Sequence, residues 1–228
     1  MTRPKAPPTA ATMAVRTALI LAIFVVAFSG LLVAAFLSTR EAIDAAAAAE
    51  KMKLIGEVLP PDVYDNDLLR DALPLPPSAA LGSDEETTGY LARKTGKASA
   101  LVFEAVAPDG YSGRIRLLLA VAADGTLLGV RVTQHKETPG LGDYIDPRKD
   151  RNKERPWIRQ FDGLSLATVS DREWRVKKDG GHFDSVAGAT VTPRAVIKAV
   201  HRALQYVEAN RQRLFAEAAL PDGRGEGQ

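Results

Sequence analysis

The sequence predicts an α+β protein: one N-terminal membrane helix and a stalk, followed by an antiparallel sheet with helices. Three observations carry this. Residues 17–39 contain no charged side chain. Residues 98–132 alternate apolar and polar side chains on either side of an Asp124-Gly125 turn, the pattern of paired antiparallel strands. Behind Thr192-Pro193, the side chains Ala195, Val196, Ala199, Val200, Ala203, Leu204 and Val207 recur at the helical period.

Residues 1–16 form a short arm with Arg3, Lys5 and Arg16 and no acid. This arm carries +3 and leaves the rest of the chain at −1, so the formal net charge of +2 is not that of a basic fold. Nucleic-acid partners, which need a basic face, are not expected. The run Thr17–Thr39 would span about 35 Å as a helix, enough for a hydrocarbon core of about 30 Å. It is longer than the apolar stretch of a cleaved signal peptide, so an uncleaved single-pass anchor in a lipid bilayer is expected. The purely basic flank before it, against Glu41 and Asp44 behind Arg40, predicts a cytoplasmic N-terminus and export of everything after residue 40. One span cannot form a transport path, so any transport role requires membrane partners.

Residues 40–59 are alanine-rich and read as a stalk helix stopped by Pro60-Pro61. Residues 60–88, with five prolines and many acids, read as a linker with a turn near Tyr64–Leu68. The compact domain is expected over 89–212. Ala98–Val106 reads as a strand ended by Pro108-Asp109-Gly110, Arg114–Ala122 as a second and Leu128–Val132 as its return. A short helix is expected from Trp157 and another strand over Trp174–Lys177. The last helix takes Thr192 as its N-cap and Pro193 as its first residue. Residues 213–228 read as a frayed tail.

The chain has no cysteine, which excludes disulfides, thiolate metal sites, cysteine-ligated iron–sulfur clusters and a cysteine nucleophile. Two places could hold chemistry. Ser185–Thr192 is a small-residue loop entering a helix N-terminus, where free N–H groups and the helix dipole suit a phosphate. Its spacing matches neither the P-loop nor the dinucleotide fingerprint, and ordinary turn chemistry is the alternative. The loop His135–Gly142 offers a shaped Pro139/Gly140/Gly142 backbone against which a flat ligand could lie. His135 and Glu137 could be metal ligands, an acid–base pair or a solvated surface pair. The three histidines show no recognised metal spacing, so no metal site is assigned.

With its single N-terminal span, Tyr-Asp-Asn-x-Leu (64–68), Gly-Tyr-Ser-Gly (110–113), His-x-Glu-Thr-Pro-Gly-Leu-Gly (135–142) and a late Gly-Ala-Thr before Thr-Pro-Arg-Ala-Val, the sequence resembles the G-type subunit of the Rnf (Rsx) ion-translocating electron transport complex. The likeness runs from about residue 15 to 210. The resemblance implies that 89–212 is an FMN-binding domain. It further implies FMN held covalently, as a phosphoester, on the last residue of Asp184-Ser185-Val186-Ala187-Gly188-Ala189-Thr190. Thr190 would then be the attachment residue, with Gly188, Ala189 and Thr192 around the phosphate. Glu137, Thr138, Gly140 and Leu141 would neighbour the isoalloxazine. Ser185 stands where the family has Gly, and Ala187 where it has Ser or Thr. A threonine hydroxyl is a poor nucleophile without a base or metal. A flavin transferase is therefore expected to use FAD as donor, with AMP released. Arg194 and Lys198 could add positive potential or be plain surface charge.

The implied function is a redox subunit, with no catalytic acid or base of its own, in a bacterial inner-membrane translocase. Its flavin domain would be periplasmic, and other membrane and peripheral subunits would couple ferredoxin/NAD electron transfer to ion translocation. Two readings compete: a component like the C-type subunit of a sodium-pumping NADH:quinone reductase, and an anchored assembly or sensory module without redox cofactor.

Overall fold

The computed structural model describes residues 10–216 and divides into two compact units, one ending at Lys51 and one beginning at Met52. Helix α1 runs Ala10–Gly56. It takes in the uncharged run, the residues before it from Ala10 and most of the expected stalk. It is the one described helix long and apolar enough to cross a membrane. Residues 1–9 of the expected arm lie outside the described residues. The stalk ends at Gly56 rather than 59. The N–H groups of Val58 and Leu59 turn back onto the carbonyl of Ile55, and Pro60-Pro61 cannot continue the helix.

The second unit is built on an antiparallel sheet in simple sequence order. Its strands are β1 (Ala72–Leu75), β2 (Thr87–Lys94), β3 (Lys97–Gly110), β4 (Gly113–Ala122) and β5 (Leu127–Gln134). Side chains alternate across it as the period of two requires. Leu101, Phe103, Ala105, Ile115, Leu117 and Leu119 face one core, which is closed by helix α2 (Val191–Ala209). Val102, Leu118 and Ala120 face the other way, onto Ile55, Val58, Leu59 and Leu68.

That second core corrects the linker expected over 60–88. Leu68 is buried in that core, Leu75 and Leu81 are buried in the first, and β1 pairs with β2. The Tyr64–Leu68 motif is the fastener. Asn66 accepts the Arg93 N–H (2.8 Å) and donates to Asp71 and the Leu91 carbonyl. Asp65 accepts the N–H of Thr95, the one described non-glycine residue with positive φ, at the tip of the β2–β3 turn. An apolar second sheet face must be covered, and this segment covers it. The compact body therefore begins at Met52 rather than 89.

Two further expectations change. Trp174–Lys177 forms no strand, only an isolated bridge from Val176 to Phe183. The tail expected from 213 starts as helix α3 (Arg211–Ala216), with Leu214 in the core. Residues 217–228 lie outside the described residues. The short helix expected from Trp157 is a 3-10 turn, Trp157–Phe161, whose rings pack edge-on. The charged stretch 146–156 is pinned by two buried carboxylates. Asp146 binds Arg148, and Asp150 accepts the N–H groups of Asn152 and Trp157.

Candidate site at the start of helix α2

Helix α2 begins at Val191, two residues earlier than expected, so Thr190 rather than Thr192 is its flanking residue. Pro193 sits inside the first turn, where it costs no hydrogen bond. The N–H groups of Thr190, Val191 and Thr192 bond to nothing among the described residues, and neither does the Thr190 hydroxyl. Three free donors at the positive end of a 19-residue helix form a cradle for an anion.

Thr192 does not cap. It is 2% exposed, and its hydroxyl donates to the Glu137 carboxylate, which is itself 4% exposed. The other Glu137 oxygen accepts the Ser112 N–H at 3.0 Å. Gly142 presses on the same pair, since a Cβ there would lie 2.7 Å from Thr192 Oγ1 and 2.8 Å from Glu137 Oε2. One carboxylate thus ties the β3–β4 turn and the 135–142 loop to the start of α2. Glu137 is therefore not an open ring contact, because both its oxygens are spent inward. No cation pairs with it among the described residues. His135 is also occupied, its Nδ1 accepting the Glu137 N–H at 3.1 Å. Among the described residues no His/Cys/Asp/Glu group could hold a metal ion.

The loop ahead of Thr190 is braced from its other side. Val186–Ala189 is a tight turn closed by the Ala189 N–H onto the Val186 carbonyl (3.1 Å), with Gly188 at φ +82° as its third residue. The Tyr144 hydroxyl donates to the Ala189 carbonyl (3.2 Å) and accepts the Val186 N–H (3.4 Å), spanning both ends of the turn. Burial pushes the Tyr144 phenol up to about 12, so it stays a donor at neutral pH. Trp157 Nε1 donates to the Asp184 carbonyl at 2.6 Å, and Gln160 accepts the Asp184 N–H at 2.7 Å. Beside this brace lies an open cleft of about 640 Å³ lined mainly by polar groups, among them Asn152, Arg155, Glu173 and Lys177.

The loop residues Thr138, Gly140 and Leu141 are tied to the helix start through their neighbours Glu137 and Gly142. Thr138 is half-buried, its carbonyl accepting the Leu141 and Gly142 N–H groups. Gly140 is exposed at φ +76°, and Leu141 is 52% exposed. The two segments singled out in the sequence thus meet at one helix end.

A family model described as FMN-binding domain matches residues 110–205. The G-type subunit of the ion-translocating oxidoreductase complex of Pseudomonas aeruginosa (strain UCBPP-PA14) is 49% identical over 201 residues, covering 88% of this chain and 92% of the relative. Its Vibrio atlanticus counterpart is 41% identical over 202 residues (89% and 94%), and that of Shewanella baltica 40% over 202 (89% and 93%). The chain belongs to the family of G-type subunits of ion-translocating oxidoreductase complexes.

Within this G-type subunit the backbone is unstrained at Ser185 and Ala187, the two positions that depart from the pattern the resemblance implied. Ser185 does not lie in the left-handed region that would demand glycine, and Ala187 is exposed at the second turn position. Arg194 and Lys198 are committed elsewhere. Arg194 makes a two-pronged pair with Asp179 (both 2.7 Å), and Lys198 pairs with Asp109 (2.8 Å). The brace formed by Tyr144, Trp157 and Gln160 escaped the sequence reading. Its only sequence signal is aromatic residues in an otherwise charged stretch.

Proposed function

We propose that this protein carries electrons through FMN held as a phosphoester on Thr190. The flavin domain would stand at the periplasmic face of a bacterial inner membrane, in an Rnf-type complex that couples ferredoxin/NAD electron transfer to ion translocation. The reading rests on one contrast. Of two neighbouring threonines, Thr192 has its hydroxyl buried against Glu137, whereas the Thr190 hydroxyl is unengaged beside three free N–H donors. Gly188, with nothing within 4 Å of where a Cβ would sit, leaves the approach open. When bound, FMN supplies the electron-transfer chemistry.

The protein's own work is placement and charge. The N–H groups of Thr190, Val191 and Thr192 would take the phosphoester oxygens. The helix dipole stabilises their negative charge by about 0.3–1 kcal/mol, more where partly buried. Tyr144 fixes the turn that presents Thr190. Thr138, Gly140 and Leu141 would neighbour the isoalloxazine. Ala189 is held by Tyr144, and Thr192 serves through its N–H while its hydroxyl serves Glu137. No side chain hydrogen-bonds the Thr190 hydroxyl and no group able to hold a metal ion occurs among the described residues, so attachment by a separate flavin transferase is the reading proposed. In that reaction the Thr190 oxygen bonds to the FMN-side phosphorus of FAD, the pyrophosphate bond breaks, and AMP leaves. Helix α1 would be the single-pass anchor.

The test is whether flavin stays on the denatured chain. Protein from native membranes should fluoresce on a denaturing gel, and the modified peptide should map to Thr190. Thr190→Ala should be dark. A dark native chain, in cells with a working transferase, would refute the reading.

A further inference from the structure

Residues 148–178 hold ten Lys or Arg against five Asp or Glu, in a chain whose remainder after residue 16 is net negative. The fold keeps this positive charge on the surface. Arg151, Arg155, Arg172, Arg175 and Lys178 are exposed, and none has a carboxylate within ion-pair reach among the described residues. Most acids of the stretch are engaged. Asp150 is buried on the N–H groups of Asn152 and Trp157, Asp162 lies beside Arg159, Asp171 beside His201, and Glu173 binds Ser170. Like charges gathered in this way repel one another and lower stability, so the patch points to a partner of opposite charge. Both ends of the stretch line the open cleft of about 640 Å³, Asn152 and Arg155 from one and Glu173 and Lys177 from the other, with His182 beside them. The Lys177–Asp184 pair there (2.7 Å) is well exposed on both sides and is worth little. The cleft also takes in Tyr144, Trp157, Asp184 and Val186, which brace the turn ahead of Thr190. A protein seated on this rim therefore stands beside the attachment turn.

We propose that the basic rim of this cleft is the docking surface for the flavin transferase, which meets it through an acidic face. The proposal rests on attachment at Thr190 by a separate enzyme. A hydroxyl without a base of its own must be reached by the groups that activate it, so the enzyme has to settle against this turn. It visits each chain once and leaves, so a fast and correctly oriented encounter matters more than a long-lived hold. Charges around a rim supply that, because they steer approach and fix orientation. A permanent neighbour would instead bury a patch whose centre is depleted of charge. Exposed cations without partners fit the visitor.

The test uses the full chain purified in neutral detergent from cells that lack the transferase. The chain is mixed with FAD and purified transferase, and covalent flavin is followed by fluorescence on a denaturing gel. Arg155→Glu and Arg175→Glu should each raise KM for the chain with kcat unchanged, and together should lower kcat/KM by about tenfold or more. Attachment to the parent should slow as salt rises, and the double variant should lose most of that dependence. Lys97→Glu makes the same change of charge at the exposed start of β3, outside the cleft, and should match the parent. Parental kcat/KM in the double variant would overturn the docking surface. So would an equal loss in Lys97→Glu, which would reduce the effect to net charge, or a loss confined to kcat, which would place the arginines in the chemistry. Normal attachment with slower electron transfer in the assembled complex would make the rim a contact for a redox partner, and dependence on the arginines only in vesicles of anionic lipid would make it a lipid contact. Either result would sink the proposal. A parent that gains no covalent flavin, or a Thr190→Ala chain that does, would instead bring down the attachment reading itself.

Discussion

Thr192→Val removes one hydroxyl and keeps the shape of the side chain. In the structure that hydroxyl is buried and donates to a buried carboxylate, so the substitution leaves a Glu137 oxygen without its donor. Stranding a buried acceptor costs about 1–3 kcal/mol, toward the upper end when the acceptor is charged. For a body of this size, each kcal/mol lowers the melting temperature by about 2–4 °C, so a loss of about 2–12 °C is expected. Differential scanning calorimetry of the detergent-solubilised chain measures it. The loss should couple to the acceptor. With Glu137→Gln in a double-mutant cycle, the interaction energy should be about 0.5–3 kcal/mol. With attachment at Thr190 as proposed, covalent flavin should survive Thr192→Val. Two results would refute the reasoning. An unchanged melting temperature would mean that the clamp contributes nothing. Loss of flavin in Thr192→Val, with flavin retained in Thr190→Val, would mean that the other hydroxyl carries the flavin.

Tyr144→Phe removes both hydrogen bonds that brace the 186–189 turn. It should cost about 1–2 kcal/mol and slow flavin attachment, followed by fluorescence of the chain during reaction with FAD and transferase. The same phenol predicts a pH effect. Its folded-state value is raised to about 12 from 10, so its stabilising share is complete below pH 10 and is lost as pH rises toward 12. The loss amounts to about 2–3 kcal/mol. Urea titrations between pH 9 and 12 should therefore fall more steeply for the parent than for Tyr144→Phe. Leu68→Ala should cost about 2–5 kcal/mol in urea unfolding, since Leu68 is wholly buried in the second core. A loose arm there would cost less than about 0.5 kcal/mol. Gly188→Ala forces a side chain to φ +82° and should cost about 1–2 kcal/mol with weaker flavin attachment, read by calorimetry and gel fluorescence.

The anchor, the β3–β5 meander and α2 were legible because each is a local pattern: an uncharged run, a period of two, a period of 3.6. The arm from 60 to 88 was not. Prolines and acids read as loop, and Pro74 sits in an edge strand where the missing N–H is tolerated. The clue lay in the partner strands. Leu117-Leu118-Leu119-Ala120 in β4 is apolar on both faces, which a half-exposed strand would not be. Something had to cover Leu118 and Ala120, and the only chain available upstream was the supposed linker and the end of the stalk.

At the site, the loop and the helix start were legible from glycine, proline and small hydroxyl residues. The division of labour between Thr190 and Thr192 was not. On local chemistry Thr192 before Pro193 is the better N-cap, and the helix starts earlier only because a third party claims that hydroxyl. The claimant, Glu137, is 55 residues away in sequence and reaches α2 through the sheet. Its oxygens face two donors from separate segments, so the carboxylate needs Thr192 more than the helix needs a cap. Once Thr192 is turned inward, the helix end is left with free N–H groups and one free hydroxyl. The opening that suits a phosphate at Thr190 is thus a consequence of burying the acid at Glu137. Replacing Glu137 by a residue that cannot accept from Thr192 should free that hydroxyl to compete for the helix-end N–H groups and slow flavin attachment, whereas Thr192→Val, which has no hydroxyl to turn outward, should not.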